Sequence, residues 1–93
     1  MEMLEGLDDR ALAIDGNNLQ ILRWGAEQNR VPLVNLEPAK IVRDDKKKLF
    51  GASEERVRIG FGAVITNIWL PLERQGEAEA FAAAVDEARE AVA

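Results

Sequence analysis

The sequence predicts an α+β fold in which five to seven short antiparallel strands form a strongly curved sheet or partly open barrel, capped by one C-terminal helix. Three observations carry this expectation. Apolar residues alternate with period two in several short runs between Ala11 and Leu72. Turn-forming residues such as Asp15-Gly16-Asn17-Asn18 punctuate those runs. After Gly76 the period becomes helical, because Phe81, Val85, Ala88 and Val92 recur at intervals of four, three and four.

Residues 1–9 read as a polar lead-in, a short helical turn or a loose tail, and residues 10–93 as one domain. In the first hairpin, Leu12 and Ile14 precede the Asp-Gly turn, and Leu19 and Ile21 follow it. Residues 15–18 tolerate left-handed backbone, so the four apolar side chains are expected to share one core face. Gly25 to Asn29 reads as a second turn. Arg30 to Leu36 reads as a strand at a sheet edge or beginning at Pro32, since proline has no amide donor for a central ladder.

Pro38 ends that run, and Ala39 to Arg43 resumes as a strand leading into a charged loop or hairpin tip, Asp44 to Lys48. In Arg56 to Phe61 the alternation directs Val57, Ile59 and Phe61 inward. The run Val64 to Leu70 is rich in β-favouring residues. Its preceding turn falls at Gly62-Ala63 or at Thr66-Asn67, and the pattern does not choose. The final helix, Glu77 to Ala93, is rich in Ala, the best helix former. Glu77 and Glu79 suit the positive end of its dipole, and Arg89 lies nearer the negative end.

What the chain lacks bounds its chemistry. Its 93 residues include no His, no Cys and no Tyr, one Ser (Ser53) and one Thr (Thr66). A serine nucleophile needs a base, most often an imidazole, and none is present. Zinc and copper sites built on imidazole or thiolate are excluded on the same ground. Carboxylates occur in runs (Asp8-Asp9, Asp44-Asp45, Glu54-Glu55) that flank turns, which reads as solvated loop charge rather than a converging catalytic pair. Gly60-Phe61-Gly62 has no third glycine for a dinucleotide fingerprint. The expectation is a module without enzymatic activity, cofactor or metal.

Net charge is −5, which disfavours nucleic acid and anionic lipid as partners of the whole surface. The charge is unevenly placed. Residues 1–9 carry Glu2, Glu5, Asp8 and Asp9 with no cation, whereas Lys40 to Arg58 holds seven cations against four carboxylates. Lys40, Arg43, Lys46, Lys47 and Lys48 are therefore the candidate patch for an anionic partner. Any membrane contact through it would be weak, at about 1 kcal/mol per lysine. Trp24 is the candidate protein interface. It falls on the strand face opposite Leu19 and Ile21, and tryptophan is enriched where proteins dock. Absence of cysteine and of a signal-like N-terminus points to the cytoplasm.

The order of elements resembles that of pleckstrin-homology-like domains, most of all their short bacterial members of uncharacterised type. Ala11 to Ile21 resembles the opening hairpin, Val31-Pro32-Leu33-Val34-Asn35-Leu36 a proline-containing strand, and Glu79 to Ala88 the closing helix. The resemblance implies a binding or assembly module that works through a protein partner or through self-association into a homo-oligomer. Relatives that bind phosphoinositides carry basic residues at the first hairpin. The turn at Asp15 to Asn18 has none.

Overall fold

A computed structural model describes residues 2–46 and 54–92. Among the described residues the chain is α+β, with seven strands divided between two antiparallel sheets and followed by one helix. The first sheet runs in the order β1 (Met3–Glu5), β2 (Arg10–Asp15), β3 (Asn18–Arg23) and β4 (Ala26–Pro32). The second holds β5 (Lys40–Lys46), β6 (Glu54–Phe61) and β7 (Ala63–Pro71). Neither is closed or strongly curled, which corrects the expected single curved sheet. The break lies between Pro32 and Pro38. Leu33–Asn35 turns as a 3-10 helix rather than continuing the strand, and Leu33 and Leu36 drop into the core.

The first hairpin folds as its pattern requires. Leu12 opposes Ile21 and Ile14 opposes Leu19, so all four share a face, and Gly16 takes the positive φ of 57°. Leu12 and Leu19 are fully buried there. The lead-in is neither a tail nor a helical turn. Met3–Glu5 pairs with β2, and Leu4 enters the core opposite Leu12. One apolar side chain among acids leaves little periodic trace, yet burying a leucine is worth roughly 1.5–3 kcal/mol.

The second turn is also shorter than expected. Only Trp24 and Gly25 form it, and strand pairing resumes at Ala26. A bulge at the Ile21–Leu22 step leaves Gln28 unpaired and interrupts the alternation that would have marked β4. In the second sheet, Asp44 and Asp45 continue β5 instead of starting a loop, since Asp44 opposes Arg56 and bonds to it. The β6–β7 turn falls at Gly62, with φ of 99°.

Helix α1 (Gln75–Val92) follows a 3-10 turn, Leu72–Arg74. Phe81 and Val85 are buried, Ala88 and Val92 pack against the core, and the rings of Phe61 and Phe81 meet edge-on at 6.3 Å. The helix thus closes the space between the inner faces of the two sheets. Among the described residues no helix is long and apolar enough to cross a membrane.

Candidate functional site

Trp24 lies at the tip of the β3–β4 hairpin and is 69% exposed. Both residues of that two-residue turn have positive φ, 52° at Trp24 and 76° at Gly25. This is the condition for the turn type that matches strand twist. Glycine adopts it freely. Tryptophan does so at a cost of about 1–2 kcal/mol. The β1–β2 turn alongside has the same form, with Asp8 and Asp9 at φ of 60° and 58°.

The two turns are tied together. The Trp24 amide donates to the Asp9 carbonyl at 2.8 Å. The indole Nε1–H donates to the Asp9 carboxylate at 3.1 Å. On one ring face lies the Arg23 guanidinium, with its central carbon 4.4 Å from the ring centroid. The large apolar side chain is therefore held outward in one orientation. Beneath it a groove of about 530 Å³ runs over the outer face of the first sheet, with Met3, Leu22 and Ala11 as apolar lining, Glu5 and Asp9 as carboxylates and Arg10 as one cation at its side.

A second feature opens on the other face of the same strands. Arg10 and Arg23 are direct cross-strand partners, and neither side chain makes a hydrogen bond or ion pair among the described residues. Like charges so placed destabilise a sheet. The Arg23 Nε is buried without a partner. Both side chains line a cavity of about 200 Å³ with Ile21, Asn29, Ile65 and Asn67. This pairing was open to sequence reasoning, because counting outward equally from Gly16-Asn17 brings Arg10 opposite Arg23. The same count brings Asp9 opposite Trp24, but the bond from the indole to the Asp9 carboxylate left no signal in the sequence.

Of the predicted basic patch, the structure describes the side chains of Lys40 and Arg43. Lys40 and Arg43 stand three residues apart on one strand and so point to opposite faces. Arg43 is paired with Glu55 at 3.2 Å. The backbone of Lys46 ends β5, and Lys47 and Lys48 lie outside the described residues.

On the outer face of the second sheet, Trp69 is half-buried and donates its indole N–H to the Asp44 carboxylate. That bond, aided by the neighbouring Arg56, holds the Asp44 carboxyl below its ordinary pKa. Arg56 also lies over the Trp69 ring at 5.1 Å. Trp24 has the same two kinds of partner, a carboxylate on its indole N–H and a guanidinium over its ring, so what separates the two is exposure: Trp69 is half-buried where Trp24 is exposed. Compared with known proteins, the chain matches no protein-family model, no curated protein and no solved structure.

Proposed function

We propose that the chain is a non-catalytic binding module of pleckstrin-homology-like plan that docks a protein, or a second copy, through Trp24 and the groove beneath it. The arrangement of four strands, three strands and a closing helix supports the plan. One observation carries the docking reading: Trp24 is exposed in a strained backbone conformation, yet fixed by Asp9 and Arg23. Strain held at a surface position is a mark of function rather than of packing. A rigid aromatic also loses little conformational freedom on binding, which is why such residues anchor interfaces.

A photo-crosslinking residue placed at position 24, with position 87 on the exposed helix face as control, tests this in the producing cell. Discrete adducts are expected from position 24 alone. Equal smears from both positions, or none from either, would contradict docking at this tip.

The cavity between Arg10 and Arg23 favours a second reading, an anionic ligand rather than a protein. A shared anion would relieve the repulsion of the cross-strand pair and satisfy the buried Nε. Titration with inorganic phosphate is then expected to move the side-chain Nε–H resonances of Arg10 and Arg23. Unmoved resonances at millimolar phosphate would remove this reading.

A further inference from the structure

We infer that the groove beside Trp24 takes a short basic and apolar segment of a partner protein, an inference that rests on the docking reading above and names its partner's chemistry. The groove offers two kinds of contact at once. Met3, half-exposed, and the Trp24 side chain supply apolar surface, with the largely buried Leu22 at the floor. Glu5 and Asp9 line it with carboxylates against one guanidinium, that of Arg10, and exposed Glu2 and Asp8 extend the acidic character of the same segment. Around the groove and the Trp24 tip these four carboxylates outnumber the two guanidiniums, Arg10 and Arg23.

That charge selects among occupants. A second copy docked by two-fold symmetry would bring together two patches that are each net acidic, because such an interface pairs one patch with itself. An anionic lipid surface is repelled by the same charges. A segment carrying Lys or Arg beside aliphatic side chains is matched on both counts. Trp24 adds a specific seat for it. One indole face already holds the Arg23 guanidinium. With the side chain 69% exposed, the remaining ring surface is open to a partner's cation. The volume of about 530 Å³ is that of a site for a few residues rather than a whole domain face.

The test uses the full chain, ¹⁵N- and methyl-labelled, with two end-capped pentapeptides as probes. One alternates arginine and leucine, and the other has glutamate in place of arginine. The basic peptide is expected to move the Trp24 indole N–H and the Met3 and Leu22 methyl signals, and to weaken as salt rises. The acidic peptide is expected to leave them in place. Trp24→Ala, checked for an intact dispersed spectrum, should bind the basic peptide at least about tenfold more weakly.

If both peptides moved these signals equally, the basic partner would be ruled out while docking at Trp24 stood. If the same signals moved on concentrating the protein alone, the occupant would be a second copy and the inference would fall. If neither peptide moved Trp24 at millimolar concentration, the inference would fail, and a null result from crosslinking at position 24 would then take the docking reading with it.

Discussion

Thr66 is the chain's one threonine and is fully buried. Its hydroxyl accepts a hydrogen bond from the Phe61 amide at 2.9 Å and donates one to the Ala63 carbonyl. These two bonds close the tight reversal at Gly62, where the ladder cannot satisfy the same groups. Thr66→Val keeps the shape and removes both bonds, leaving a buried amide without a partner. The expected cost is about 1–3 kcal/mol, read from urea unfolding. Thr66→Ser keeps the hydroxyl and should lose only about 1 kcal/mol for the missing methyl. A valine variant as stable as the parent would show that the hydroxyl does not hold the turn. The same residue explains why the position of this turn was not legible in the sequence. Thr66-Asn67 looked like a turn because of its composition, but Thr66 serves the turn from the strand beyond it.

Among the elements, legibility followed the periodicity. The first hairpin, β6 and the C-terminal helix were readable because each repeats its apolar spacing several times over. Leu12, Leu19, Val57, Ile59, Phe61, Phe81 and Val85 all entered the core as that spacing required. Three elements departed from the reading for separate physical reasons. Strand β1 has one buried side chain in three residues, too few to show a period. Strand β4 is an edge strand, exposed along nearly all its length and carrying a bulge, so no buried face imposed alternation on its sequence. Its charges serve the edge instead, since Arg30 bridges Asp15 and Glu27 across the surface and polar side chains discourage pairing with a neighbour. The run at Leu33 is apolar because its leucines plug the core from a 3-10 turn, a use that a strand-like composition does not reveal.

The candidate site was legible in part. Trp24 could be singled out from alternation alone; Arg23 is its chain neighbour and Asp9 stands opposite it in the hairpin count, but the contacts that both make with the indole needed the fold to set them.

At the scale of the whole molecule, the uneven charge takes on a spatial meaning. The acidic first segment folds as β1 and its turn, beside the Trp24 groove. The cations of β5 and β6 belong to the other sheet, where Arg43 and Arg56 are drawn into pairs with Glu55 and Asp44. Placement of the two tryptophans follows the same division. Trp69 is built into its sheet by Asp44 and Arg56, whereas Trp24 stands outside the core at the opposite sheet's tip.

The central claim is that Trp24 is displayed for contact and is not needed for the fold, and a urea unfolding curve of Trp24→Gly beside the parent tests it most directly. Glycine relieves about 1–2 kcal/mol of left-handed backbone strain. Against that, it loses the Asp9–indole bond, at about 1 kcal/mol, and the guanidinium stacking, at about 0.5–1 kcal/mol. It also adds about 0.5–1 kcal/mol of unfolded-chain entropy. The expected result is a net loss below about 2 kcal/mol with an unchanged denaturant slope. A loss above about 3 kcal/mol, the range for removing a buried tryptophan, would show that the indole holds the fold together and would contradict the claim.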